Sequence, residues 1–121
     1  LGEFLTFREV PWGAVYTATF DGRCIKRLAF TFGNKIQDFK MAMESIGATP
    51  LTHGDASYEF ELLEGLKLRF ILWQGDNEFP PSAQILFSDN FPSAFTAEDM
   101  AVTGDVTIGS LKAIANQLKQ K

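Results

Sequence analysis

The chain is poor in the two residue types that most often build metal centres. It contains one cysteine, Cys24, and one histidine, His53. A single cysteine excludes an intramolecular disulfide and a four-cysteine zinc or iron–sulfur site within the chain, and a single histidine excludes a histidine-rich metal site. Sparse cysteine is typical of proteins from reducing compartments, so we expect a cytoplasmic location.

Long apolar runs and familiar nucleotide or nucleophile motifs are also missing. No run approaches the ~20 apolar residues of a membrane-spanning helix, so we expect no membrane association. The sequence has no G-x-G-x-x-G, no Walker-type phosphate loop and no G-x-S-x-G elbow. A net charge of −4 argues against a duplex-binding surface, which needs a clustered basic face, and we expect no nucleic-acid partner.

What is present predicts a single α+β domain over residues 1–121. The length of 121 residues, with 45% apolar and 21% charged residues, suits one domain with its own core. Strand patterns come as hairpins and helical patterns come in blocks, without strict β–α–β alternation. The sequence therefore predicts an antiparallel sheet of about five strands with helices packed on one face.

Alternating side chains predict the strands. Residues 4–10 and 14–20 are expected to form a hairpin that turns at Pro11-Trp12-Gly13. A short strand is expected at 49–52. Strands 57–63, 66–73 and 82–88 follow, and the middle one passes from a solvated region to a covered one.

Apolar residues at helical spacing predict the helices. We expect a short helix at 23–32 and a longer one at 35–46, with Asn34 as its N-cap and Gly47 at its end. Thr96 and Asp99 have the spacing of a capping box. Gly104 is expected to interrupt the segment that they open, before a final helix at 106–118.

The segment 73–82 is the most distinctive stretch, because its loop is too long for an ordinary hairpin. Connections of 2–5 residues are usual, whereas this loop runs from Gln74 to Pro81. Two consecutive prolines stiffen it. The sequence predicts a ligand-binding pocket around the loop, or a plug that closes the end of the sheet. The predicted ligand-binding residues are Trp73, Asp76, Glu78, Phe79, Glu98 and Asp99.

The carboxylates of that set allow two interpretations. If Asp76 and Glu78 converge with Glu98 and Asp99, their oxygens suit a hard cation such as Mg²⁺ or Ca²⁺. The simpler interpretation, which we favour, is that Asp76 binds turn amides while Glu98 and Asp99 stabilise the start of a helix.

The single cysteine and the single histidine also have two interpretations each. Cys24 lies between Arg23 and Lys26, whose charges favour a reactive thiolate. We favour the alternative of a small buried side chain. His53 lies in a predicted turn, where a solvated residue is favoured over a catalytic base. We predict no catalytic residue, and the sequence identifies neither a cofactor nor an oligomeric state.

Several segments together resemble an uncharacterised prokaryotic family, a domain of unknown function found mainly in anaerobic bacteria and archaea. They are the W-x-G-D-x-E-F-P-P-S-A run from Trp73 to Ala83, and the shorter segments Gly2-Glu3, Phe7-Arg8-Glu9, Leu86-Phe87 and Glu98-Asp99-Met100-Ala101-Val102. The resemblance implies that this chain corresponds to the C-terminal portion of a longer family domain. It also implies a link to one-carbon, corrinoid or redox metabolism. The iron–sulfur segment of some relatives is not carried over, since only Cys24 is present.

Three functions remain open. The leading hypothesis is an accessory or ligand-binding domain that uses the pocket around the loop. The second is a metal-dependent enzyme that uses the two acidic pairs. The third is a protein-interaction module, which would show an exposed apolar patch.

Overall fold

The computed structural model describes residues 3–120, and Leu1, Gly2 and Lys121 lie outside it. Gly2, part of the family resemblance, is thus outside the described residues. The strands are β1 (Phe4–Thr6), β2 (Thr49–Pro50), β3 (Ala56–Leu63), β4 (Leu66–Trp73) and β5 (Ser82–Ser88), and the helices are α1 (Gly13–Phe20), α2 (Lys26–Phe32), α3 (Ile36–Ser45) and α4 (Ala97–Lys119). Short 3-10 turns span Phe7–Glu9 and Phe91–Ser93. No helix within residues 3–120 is long and apolar enough to cross a membrane.

The five strands form one antiparallel sheet in the order β1-β5-β4-β3-β2. The α+β prediction is confirmed, and β4 and β5 have the predicted bounds. The alternation of apolar side chains explains why these strands were predictable, since Leu68, Phe70 and Leu72 are buried on one face of β4. Gly65 takes a positive φ of 83° in the turn before β4, a conformation that favours glycine.

The helices pack on the apolar face of the sheet. Phe20 of α1 contacts Phe87 of β5, with ring centroids 5.9 Å apart. Phe39 of α3 meets Tyr58 of β3 edge-on at 5.7 Å, and the Tyr58 hydroxyl donates a hydrogen bond to the Glu44 carboxylate. These contacts confirm the predicted layering.

The opposite face of β4 is charged at Lys67 and Arg69 and buried at Ile71, as predicted, but Trp73 at the end of the strand is 40% exposed, so the predicted cover does not reach the loop. Arg69 donates to Glu59 at 2.8 Å and lies 3.8 Å from the Phe4 ring centroid. Farther along the same strand face, Ile71 is buried. The turn at Gly54 lies against it, because a Cβ at Gly54 would be 3.0 Å from Ile71 Cγ2.

The predicted N-terminal hairpin is wrong. Residues 4–10 form a strand only over Phe4–Thr6, which pairs with β5, and residues 14–20 lie in helix α1. Their β-branched and aromatic composition suggested a strand, but tertiary packing overrides such preferences. Phe20 stacks on Phe7 at 4.0 Å, and Gly13 approaches so closely that a Cβ would lie 2.0 Å from the Phe7 carbonyl oxygen.

Helices α1 and α2 join into one continuous rod through a π-helical turn, Asp21–Ile25. At about 1.5 Å per residue, the rod from Gly13 to Phe32 is about 30 Å long. The predicted helix at 23–32 is therefore the second half of a longer one. Cys24 lies in the π turn and is buried against α4, where its thiol donates to the Ala101 carbonyl oxygen at 3.2 Å.

Two details of the helix predictions are wrong. Helix α4 runs without a break through Gly104, because this glycine packs against the rod and a Cβ there would lie 2.9 Å from Cys24 Sγ. The residue before α3 is Lys35 rather than Asn34, and no side chain caps the helix. The capping box of Thr96 and Asp99 is confirmed.

Candidate functional site

The loop between β4 and β5 is organised by the carboxylate of Asp76. Its Oδ1 accepts hydrogen bonds from the backbone amides of Glu78 and Phe79, both at 2.8 Å. The Asp76 amide in turn donates to the Phe79 carbonyl oxygen at 2.9 Å. The amides of Phe79 and Glu78 hold the pKa of Asp76 below its ordinary value, since they stabilise its charged form. The turn interpretation of Asp76 is confirmed.

The loop is also tied to the structure around it. The Gln74 amide donates to Asp55 Oδ2 at 2.6 Å. Pro81 packs closely against Gly75 and against Gly33 at the end of α2, where a Cβ would lie 2.2 Å from the Pro81 side chain. These contacts are those expected of a plug at the end of the sheet.

The two large aromatic residues of the predicted pocket point outward. Trp73 is 40% exposed and Phe79 is 67% exposed. Glu78 is exposed as well. The ligand-binding role of this loop stays a prediction.

Glu98 and Asp99 lie at the other end of the fold. They form the first turn of α4, which follows the C-terminal end of β5, whereas the loop precedes its N-terminal end. The seven residues of β5 span about 20 Å. Within residues 3–120, no group of three or more histidine, cysteine, aspartate or glutamate side chains could hold a metal ion. The two acidic pairs thus do not meet, and the metal-dependent alternative stays a prediction that this arrangement does not support.

Cys24 and His53 both fit the simpler of the two interpretations that the sequence allows for each of them. Burial is the main cause that raises the pKa of Cys24 to about 12, and the charge of Asp105 raises it further against the opposing effect of Arg23. The interpretation of Cys24 as a small buried residue is confirmed. His53 is exposed in a turn, where its amide donates to Ser57 Oγ at 3.0 Å.

Sequence reasoning missed a groove between the starts of α1 and α4. A cavity of about 350 Å³ is lined by Trp12, Tyr16, Thr96, Ala97 and Glu98. A neighbouring cavity of about 310 Å³ shares Trp12 with it and extends between Pro11 and the segment from Pro92 to Met100, Asp99 included. Two of the predicted ligand-binding residues thus line this groove, away from the loop.

One signal in the sequence points to the groove. From Val10 to Phe20 the chain carries no charged side chain. Such a run is normally buried, yet in α1 only Gly13 and Phe20 are buried. Its Val, Tyr and Thr residues predict a strand by composition, and a strand prediction does not reveal that the side chains of α1 are exposed.

Comparison with protein families matches residues 1–110 to the family described as a domain of unknown function, DUF3786, so the chain belongs to that family. The predicted membership of an uncharacterised family is confirmed. No curated protein and no solved structure matches the chain.

Proposed function

We propose that this DUF3786 domain is a protein-interaction module, which docks a partner on the exposed apolar surface of α1 and α4. We define this apolar surface by Trp12, Val15, Tyr16, Val102 and Val106, all of which are exposed. Contiguous exposed apolar surface commonly marks an interaction site. The observation that carries the proposal is an uncharged helix with most of its residues in solvent.

Helical spacing brings these side chains together. Val15 and Tyr16 lie in the first turn of α1, directly after Trp12, and Tyr16 lines the same cavity as Trp12. On α4, Val102 lies one turn beyond Glu98, which lines the same cavity as Trp12 and Tyr16. Val106 continues that row by one more turn.

The backbone at Trp12 supports a functional role for its side chain. Trp12 has φ of 64°, and it is the one non-glycine residue with positive φ within residues 3–120. A bulky residue in this region is strained. The indole, which is 75% exposed, lines both cavities of the groove. Tryptophan is the residue most enriched at interaction hot spots, together with tyrosine and arginine.

The chemistry of the surface indicates the chemistry of the partner. The apolar surface has no charge of its own, and Glu98 at its rim has no side-chain hydrogen bond or ion pair within the part of the chain that is described. We therefore expect a partner segment with apolar side chains at helical spacing and a lysine or arginine beside them. The cytoplasmic location and the metabolic setting implied by the family resemblance stay predictions.

Selection of peptides from a display library tests this proposal. The enriched peptides should combine apolar residues at helical spacing with a basic residue. The double variant Val15→Lys with Val102→Lys should weaken their binding by about tenfold or more, since it removes apolar contact and repels the basic residue. Thermal unfolding should show that this double variant remains folded.

Phe79→Lys is the matched control, because Phe79 and Val15 are equally exposed at 67% and 68%. This variant should bind the peptides as the original chain does. The proposal would be contradicted if no peptide were enriched, or if Phe79→Lys weakened peptide binding as much as the double variant does. A dimer in sedimentation that Val15→Lys dissociates would also contradict it, since the occupant would then be a second copy of the chain.

A further inference from the structure

We propose that a second site, at the opposite end of the rod from the apolar surface, binds a small phosphate ester that carries an aromatic ring. The site is a cavity of about 420 Å³ between α2, the start of α3 and the second half of α4. Its volume falls within the range of about 300–1,000 Å³ typical of small-molecule sites. The side chains that carry the inference are Arg27, Phe30, Lys35, Asp38, Lys112 and Asn116.

The charge of this cavity opposes that of the whole chain. Three cations and one carboxylate line it, although the net charge of the chain is −4. Arg27 is paired with Asp105, and Asp38 accepts from Lys119 Nζ at 3.1 Å. Lys35 and Lys112 have no hydrogen-bond or ion-pair partner for their amines within residues 3–120. Two unpaired ammonium groups at one cavity leave an excess positive charge that an anion would neutralise.

The aromatic wall of the cavity is Phe30, which is 77% exposed. The apolar residues around it on α2, Leu28, Ala29 and Phe32, are buried in the core. Phe30 is therefore turned away from the core, and it lines the same cavity as the two lysines. An exposed ring next to cations suits a ligand with a flat face to stack and an anion to pair.

The start of α3 also favours an anionic ligand. The helix begins at Ile36, beside Lys35, and no side chain caps its first amides. Uncapped amides at a helix N-terminus favour an anion. Asn116 on α4 supplies an amide that can donate to or accept from a polar group of the ligand. A mononucleotide has the size and chemistry that these groups require.

An NMR titration with adenosine monophosphate, adenosine and inorganic phosphate tests the proposal. Adenosine monophosphate should shift the amide signals around the cavity and saturate. Adenosine alone and phosphate alone should each bind about tenfold more weakly or worse, since each lacks one of the two recognised groups. Phe30→Ser should weaken binding of the nucleotide and leave that of phosphate unchanged.

The double variant Lys35→Gln with Lys112→Gln should lower nucleotide affinity by about tenfold or more. The matched control is Lys26→Gln with Lys40→Gln, which removes the same charge from α2 and α3 at positions outside the cavity. An equal loss of nucleotide affinity in the control would show that the effect comes from the overall charge of the protein, which would overturn the proposal. Absence of shifts around the cavity, or adenosine binding as tightly as the nucleotide, would overturn it too. These variants should leave peptide docking on the apolar surface unchanged, so the two proposals are tested separately.

Discussion

The two halves of the rod have the same backbone and opposite surroundings. Helix α1 carries no charge and leaves most of its apolar side chains in solvent. Helix α2 buries Leu28, Ala29 and Phe32, and Arg27 of α2, like Arg23 before it, is paired with Asp105 of α4. Only the second half thus behaves as an ordinary amphipathic helix. The apolar side chains of α1 therefore lie mostly on the surface of this domain and only Phe20 enters its core.

The largest effect should come from the one large side chain that α1 does bury. Phe20→Ala removes a ring that stacks on Phe7 and contacts Phe87, and should lower the free energy of unfolding by about 3–5 kcal/mol. Val15→Ala, on the exposed side of the same helix, should change it by no more than about 0.5 kcal/mol. Urea denaturation followed by circular dichroism measures both. Similar losses in the two variants would show that the outer side of α1 is packed as well.

A smaller effect is expected where the rod meets α4. Gly104→Ala places a Cβ 2.9 Å from the buried Cys24 Sγ. Overpacking costs about 1–3 kcal/mol, against a gain in helix propensity of about 1 kcal/mol, so we expect a net loss of stability.

Gly109→Ala is the matched control on the same helix. Its Cβ would meet only the end of the flexible Arg27 side chain, at 3.2 Å, so this variant should be neutral or more stable. Adding Cys24→Ala to Gly104→Ala should recover part of the loss, and a strictly additive double variant would contradict the proposed contact.

The smallest effect on stability should come from the ion pairs that Asp105 of α4 forms with Arg23 and Arg27 of the rod. Desolvation raises the pKa of Asp105, but hydrogen bonds from Arg23 and Arg27 outweigh it and hold the pKa below its ordinary value of 3.8. Because the folded-state pKa is lowered, the stabilisation is present above pH 3.8 and is lost as the pH falls through the folded pKa. Both arginines are well exposed, so the total should be about 1 kcal/mol or less.

Thermal unfolding at a series of pH values measures this contribution. Asp105→Asn should be slightly less stable at neutral pH and should lose less stability below pH 3.8 than the original chain. Asp21→Asn, on the same rod, leaves both ion pairs intact and serves as the control. A steeper acid loss in Asp105→Asn would show that Asp105 does not stabilise the fold through these pairs.

The sheet was predictable where its residues alternate and pair locally. Strands β4 and β5 follow directly from period-two patterns on either side of a loop, and the register then follows from burial of one face. Helix α1 was not predictable in the same way. Its Val, Tyr and Thr residues favour a strand, and the helix depends on Phe7 and on the close approach of Gly13, neither of which is a local preference.

The candidate sites differ in the same way, because one is local in sequence and the others are formed by distant residues. The sequence alone identified the loop around Asp76 and its alternative role as a turn residue, because that chemistry is local. The groove at Trp12 and Glu98 and the cavity at Lys35 and Lys112 each join residues far apart in the chain, so the sequence does not show which side chains line them together. Their shared neighbour is α4, whose path depends on Gly104 packing against Cys24.

By itself, the sequence determined the α+β class, the central strands, the N-terminal capping box of α4 and the family of the chain. Those features depend on periodicity, short-range hydrogen bonds and a contiguous motif. Tertiary structure decided that α1 is a helix, that it leaves its apolar side in solvent, and that the distinctive loop satisfies its own carboxylate. Burial and exposure depend on which distant surfaces meet, and so only the folded chain shows which apolar and charged side chains remain without partners.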